Sequence, residues 1–239
     1  MNEEEAEMQL EPIVPASDYH VHSIFSDGAD TYSEIAEAAE KLGYRTIAIC
    51  DHSDEYMAAY NAPRLQGFYH ASHRWQNTAS DVQVIRGLEL DLLSPDGEIS
   101  DLANYRHRPQ FLILSAHKGV YQGSDETVSE ACLRAIDRFV DELDLIGHPC
   151  STYFGAEWDQ GMDIEKIVQH ANQANLGIEV NGTNLVQKKT NVEKLRYVCE
   201  HARMLYANSD AHTVYEMGVC RQRALEIANE FGRFERRDG

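Results

Sequence analysis

The stretch QFLILSAHK, residues 110–118, sets a short apolar run, Phe111 to Leu114, directly before Ser115 and His117. A continuous apolar run of this length, entered from a proline, reads as a strand buried on both faces, as strands of parallel sheets are. His117 then falls where the strand ends. The same design recurs along the chain in SDYH (17–20), RTIAIC (45–50), VQVIRGLEL (82–90), LDLIGH (143–148), LGIEVN (176–181) and RMLYANSD (203–210). Amphipathic segments at 31–42, 64–80, 125–140, 163–175, 191–202 and 221–231 separate these runs, with Ala36, Ala39 and Leu42 at helical spacing in the first. Asp125 and Asp163 are expected N-caps, and Gly43 and Gly177 are expected helix ends. Seven β-then-α units point to an α/β fold with a parallel sheet, a (β/α)7 barrel of the TIM-barrel kind, with a doubly wound open sheet as the alternative. No linker or low-complexity tract divides the chain. The expectation is a single domain over residues 17–232, between an acidic, disordered tail at 1–16 and a short C-terminal tail at 233–239.

Composition narrows the function. Lys and Arg number 21 against 40 Asp and Glu, a net charge of −19 that opposes long nucleic acids and anionic membranes. No run approaches the apolar length of a membrane-spanning helix, and the acidic N-terminus lacks the parts of a signal peptide. The five cysteines, Cys50, Cys132, Cys150, Cys199 and Cys220, show no CxxC spacing. A reduced, cytoplasmic protein with buried thiols follows.

The residues that carry chemistry fall at the C-terminal ends of the candidate strands. His20, His22 and Asp27 follow the first, and residues i and i+2 of an extended segment share a side, so the two imidazoles converge. Asp51 and His52 follow the second, Glu89 the third, His117 the fourth and His148 the fifth. Glu179 and Asn181 lie in the sixth, and Asp210 and His212 close the seventh. In a parallel barrel all these ends share one face, the face that carries active sites. Mixed His and carboxylate donors without thiolates suit zinc, manganese or iron, and their number exceeds the needs of one tetrahedral ion. His70, His73, His170 and His201 sit in helical patterns, and His107 precedes a strand. These read as bystanders. Cys50 reads as apolar packing.

Taken as a set, DYHVHSIFSDG, AICDHSD, GLELD, SAHK, IGHP, IEVNGT and NSDAH resemble the PHP (polymerase and histidinol phosphatase) family of metal-dependent phosphoesterases. The likeness runs from Asp18 to Ala228. It is nearest to the small stand-alone phosphatases and to the PHP domains attached to family X polymerases. The resemblance implies a distorted seven-stranded barrel and two or three divalent ions. His20, His22, Glu89 and Asp210 would hold one ion. Glu89 would bridge to a second, held also by His117 and His148. A third would lie at His52 and His212 with Asp27 nearby. Asp18 and Asp51 would orient ligand imidazoles.

Such ions suit phosphoester hydrolysis by a metal-bridging hydroxide, since they lower the pKa of bound water and clamp the attacking and leaving oxygens. Asp27 and His212 are candidate proton donors to the leaving group. Lys118 is a candidate phosphate contact, and Arg64 a weaker one. The expected activity is a phosphatase on a small phosphorylated substrate. The alternatives are a histidinol phosphatase, a phosphodiesterase or exonuclease on nucleic-acid ends, and a metal-binding scaffold. In NGTNLVQKK, Lys188 and Lys189 come later than in histidinol phosphatases, which weighs against the first alternative.

Overall fold

Backbone pairing follows the apolar runs. The computed structural model describes residues 10–62, 80–105 and 107–235. Among these, β1 (Ser17–Val21), β2 (Thr46–His52), β3 (Gln83–Asp91), β4 (Phe111–Ser115), β5 (Leu145–Ile146), β6 (Gly177–Asn181) and β7 (Met204–Asn208) lie side by side in chain order, each neighbouring pair parallel. The last strand returns to the first at the C-terminal rim. Val21 bridges Ala211, the His22 amide donates to the Ala211 carbonyl, and the Asp210 amide donates to the His20 carbonyl. The result is the expected (β/α)7 barrel, nearly closed, and not the doubly wound sheet. A register shift between Asp18 and Val21 distorts its first strand.

The helices are α1 (Tyr32–Lys41), α2 (Asp54–Ala59), α3 (Val128–Phe139), α4 (Ala156–Gly161), α5 (Ile164–Ala174), α6 (Gly182–Val186), α7 (Val192–His201) and α8 (Val214–Glu230). The expected helix at 64–80, with Arg64, His70 and His73, lies outside the described residues except at its last position. Thr31 and Glu34 cap α1 reciprocally, and Asp163 caps α5 as expected. Two end signals were misplaced. Asp125 opens a short 3-10 turn whose N-cap is Ser124, and its carboxylate accepts from Lys118 instead of capping a helix. After α5 it is Asn175, not Gly177, that takes the left-handed conformation, at φ 61°. No helix among the described residues is long and apolar enough to cross a membrane.

Period-2 alternation sorts each strand into two environments. Ala48, Cys50, Phe111, Ile113 and Leu145, backed by Tyr19, Ile85 and Tyr206, form an apolar plug inside the lower barrel. The plug is tight: a Cβ at Gly87 would stand 2.2 Å from Cys50 Sγ. Intervening residues such as Leu88, Leu90, Leu112, Leu114, Ile178 and Val180 join the layer formed with Ile136, Ile167 and Leu195 of the helices. The inward series therefore runs Ala48, Cys50, His52 on β2 and Ile85, Gly87, Glu89 on β3: apolar below, polar at the rim.

On both sides the described residues pack beyond the expected boundaries at 17 and 232. Ile13 is buried and bridges Glu235. Arg233 is buried as well, its guanidinium donating to the carbonyls of Cys199, Ala202, Arg203 and Glu11. A buried guanidinium needs such acceptors, and Glu11 and the segment 199–203 supply them.

Candidate metal centre

Directly above the plug, side chains from successive strands meet at Glu89. Its Oε1 lies 3.0 Å from His148 Nε2 and 3.6 Å from both His20 Nε2 and His117 Nε2. Its Oε2 lies 2.7 Å from His52 Nδ1 and 3.7 Å from His22 Nε2. His20 and His22 converge as the alternation required, with their Nε2 atoms 3.1 Å apart. Asp210 Oδ1 stands 3.6 Å and 3.2 Å from those two nitrogens. Toward the mouth, Asp27 Oδ1 is 3.3 Å from His212 Nε2, 3.5 Å from His52 Nε2 and 3.9 Å from His22 Nδ1. Asp27 and His212 are about one third exposed, whereas His20, His22 and Glu89 are fully buried. All nine residues expected as ligands are thus brought together.

The donor set fits metal ions on its own chemistry. Among the described residues, three groups have their donor atoms within 4.8 Å of one another: His22, Asp27, His52 and His212; His20, His22 and Glu89; and His52, Glu89 and His117. Two atoms bound at 2.0–2.1 Å to one tetrahedral ion sit roughly 3.3 Å apart, close to the spacings here. Glu89 Oε2 is buried and makes no hydrogen bond, although imidazole nitrogens surround it. A cation shared with those nitrogens would satisfy it. Cys50 plays no part, because its thiol lies in the plug and donates to the Tyr19 carbonyl.

Without an ion, the charges compete for protons. Burial opposes ionisation of Glu89, Asp210 and Asp27, yet the imidazoles around them hold all three well below the usual carboxylate range. Burial also disfavours a charged His117, but Glu89 and Asp91 outweigh it and push the imidazole up to about 9. His212 is raised to about 9 in the same way, by Asp27 and Asp210. His22 goes the other way: burial and the neighbouring His212 and His52 bring it down to about 3.

The carboxylates that orient the rings are not the expected ones. Asp91 Oδ1 lies 2.6 Å from His117 Nδ1, and Glu179 Oε1 lies 2.8 Å from His20 Nδ1. A carboxylate on the far nitrogen directs the other nitrogen into the site. Asp18 instead accepts from the amides of Ser209 (3.0 Å) and His20 (3.3 Å), tying β1 to the segment after β7. Asp51 accepts from the Ser23 amide (2.8 Å) and the Ser26 hydroxyl (2.7 Å), fixing the loop after β1. The cause is alternation: Asp51 neighbours the inward His52 on β2 and so faces the opposite way.

A cavity of about 450 Å³ opens over the cluster. Tyr56, Tyr60, Tyr153 and Phe154 line it, together with Ser151, Asn184, Gln187 and Glu216. Tyr56 stacks on His52, with ring centroids 3.5 Å apart and planes 8° apart. Sequence reasoning missed this aromatic wall. Its one signal was Tyr56 and Tyr60, four residues apart, just after CDHSD. Lys118 is absent from the lining; its ammonium pairs with Asp125. His170 and His201 bond to carbonyls of their own helices, and His107 lies in the segment entering β4, as bystanders should.

A nearly closed barrel with this donor set at its mouth defines a metal-dependent hydrolase. Residues 18–183 match the family model of the PHP domain, and the chain belongs to this family of metal-dependent phosphoesterases. Asp210 and His212 lie past the matched residues, and β7 delivers them to the site. The chain is 28% identical over 200 residues to the DNA polymerase/3'-5' exonuclease PolX of Bacillus subtilis, covering 82% of this chain but only 34% of that protein. It is 25% identical over 231 residues to a probable phosphatase of Thermoanaerobacter sp., covering 90% of this chain and 86% of the relative. The solved histidinol phosphate phosphatase of Lactococcus lactis, complexed with zinc, L-histidinol and phosphate, shares the fold, with a TM-score of 0.58 at 17% identity over 92% of this chain and 94% of that one.

Proposed function

We propose that the chain is a phosphatase that hydrolyses a small phosphomonoester at a multinuclear metal centre. Glu89 carries this reading: one buried carboxylate is approached by the imidazoles of His20, His22, His52, His117 and His148 from around the barrel. His20, His22, Glu89 and Asp210 would hold one ion in this scheme, Glu89, His117 and His148 a second, and Asp27, His52 and His212 a third. Zinc, manganese or iron suits these donors. When bound, the ions supply an activated water and neutralise phosphoryl charge.

The chain's own residues position and protonate. Tyr56, Tyr60, Tyr153 and Phe154 narrow the mouth and shield the centre from bulk water. Where the third ion is absent, Asp27 Oδ1 and His212 Nε2, 3.3 Å apart at the rim, are placed to hold a proton for the departing alkoxide. Among the described lining residues none is Lys or Arg. Histidinol phosphate is one small phosphomonoester. The five buried, unpaired cysteines agree with a reduced, cytoplasmic setting.

The test is hydrolysis of an aryl phosphate and of the matching bis-aryl diester by chelator-treated protein, with and without manganese. Manganese-dependent turnover of the monoester over the diester is expected. Equal rates with and without metal, or preference for the diester, would count against the proposal.

A further inference from the structure

Glu179, in the middle of β6, lines no open space, yet its carboxylate is fully engaged. Oε1 faces His20 Nδ1 at 2.8 Å and Asn208 Nδ2 at 2.9 Å. Oε2 faces the His148 amide at 2.9 Å and Asn181 Nδ2 at 3.0 Å. Both asparagines have their orientation fixed from the other end. Asn208 Oδ1 accepts from the Tyr19 amide and Asn181 Oδ1 from the Asn184 amide, each at 2.9 Å. Their NH2 groups must therefore point at Glu179, and the His148 amide can only donate. Every partner but His20 is an obligate donor, and a carboxylate accepts from all of them.

We infer that Glu179 is a positioning residue that sets two parts of the metal centre at once, an inference that rests on the metal-centre reading above. Its first oxygen fixes His20 in the Nδ1–H tautomer. The Nε2 lone pair then points to where Glu89, His22 and Asp210 converge. Its second oxygen holds the backbone at His148. That residue has φ 29°, a left-handed conformation that non-glycine residues adopt only when their surroundings enforce it. The bond to Glu179 is what secures the turn that aims the His148 ring at Glu89. A single side chain thus links the ligand sets on the two sides of the bridging carboxylate. The link runs beneath the site, through a group that touches neither water nor substrate.

Glu179→Gln tests this with almost no change of volume. An amide offers one acceptor and one donor, so its NH2 must oppose either His20 and Asn208 or the His148 amide and Asn181. The NH2 should settle against His20, the one partner able to turn from donor to acceptor, and His20 relieves that clash only by moving its proton to Nε2, which removes its lone pair from the site. Zinc titration should show affinity lower by about 10–100-fold, the usual effect of losing such an outer partner. In 15N imidazole spectra of the zinc-titrated protein, assigned with a His20→Gln sample, His20 should carry its proton on Nδ1 in the wild type and on Nε2 in Glu179→Gln. Asn208→Ala removes a partner of Glu179 that touches no ligand. It should lower the melting temperature and leave the His20 tautomer alone, a contrast that a merely structural Glu179 would not give. If Glu179→Gln does not fold, Glu179→Asp keeps the charge but is too short to span His20 and His148, and its zinc affinity should also fall. Unchanged zinc affinity in the folded variant, or wild-type His20 protonated on Nε2 with zinc present, would overturn the inference while leaving the metal centre standing. Wild-type protein that takes up no zinc would overturn both.

Discussion

Replacing Glu89 by Gln should cut turnover sharply while leaving the barrel folded. The substitution keeps the side-chain volume and removes one charge and one acceptor oxygen. Oε1 has His148, His20 and His117 around it, and Oε2 has His52 and His22. Whichever way the amide sits, an NH2 group faces at least two imidazole nitrogens, and an NH2 cannot ligate a cation. Both ligand sets that share Glu89 therefore lose its charge, and one of them loses its oxygen donor as well. Charge stabilisation of this kind contributes several kcal/mol. Taking about 4 kcal/mol, the rate should fall by roughly 10³-fold. The fold should persist, because the plug of Cys50, Phe111, Ile113 and Leu145 beneath the site and the helix layer outside it are untouched. The assay is kcat on an aryl phosphate at saturating manganese, with elemental analysis and a melting curve on the same sample. A variant that turned over at the wild-type rate with full metal content would refute the bridging role.

Three further outcomes follow from the same geometry. Asp91→Asn removes the carboxylate 2.6 Å from His117 Nδ1 and should weaken metal binding by about 10–100-fold in a zinc titration. Lys118→Ala should leave kcat and KM for an aryl phosphate unchanged, since this ammonium pairs with Asp125 away from the cavity. In the metal-free protein His117 and His212 are raised to about 9, above the unfolded value of about 6.5. Their stabilising contribution is complete below about 6.5 and is lost as pH rises to about 9. Metal-free protein should therefore melt lower across that window while metal affinity rises, because ions displace these protons. Calorimetric titrations in buffers of different ionisation enthalpy should show proton release on metal uptake.

The barrel was legible because the strand signal is local. Runs such as TIAIC and FLILS are buried on both faces, so their apolar content marks them without tertiary information. The ligands were legible for a related reason: each one ends such a run, and a parallel barrel gathers all the ends. What escaped depends on direction and distance. Asp51 and Asp91 are both acids near strand ends, but only Asp51 stood out in the sequence, and alternation turns it to a loop and Asp91 to His117. Glu179 stood out by position, though not by its partners, which come from β1, β7 and the segment after β5. The last helix begins at Val214, seven residues before the expected start, and runs through Gly218. In the fold it lets α8 pass close to α1, where a Cβ would meet Leu42 Cδ2 at 2.9 Å. Short α4 and α6 have too few turns to show a period.

The most direct measurement is anomalous diffraction from crystals of the zinc- or manganese-loaded protein, with elemental analysis of the same preparation. More than one ion per chain is expected, with peaks on both sides of the Glu89 carboxylate and within bonding distance of His20, His22, His117 and His148. A fully loaded crystal with a single peak, or with peaks away from Glu89, would contradict the multinuclear centre.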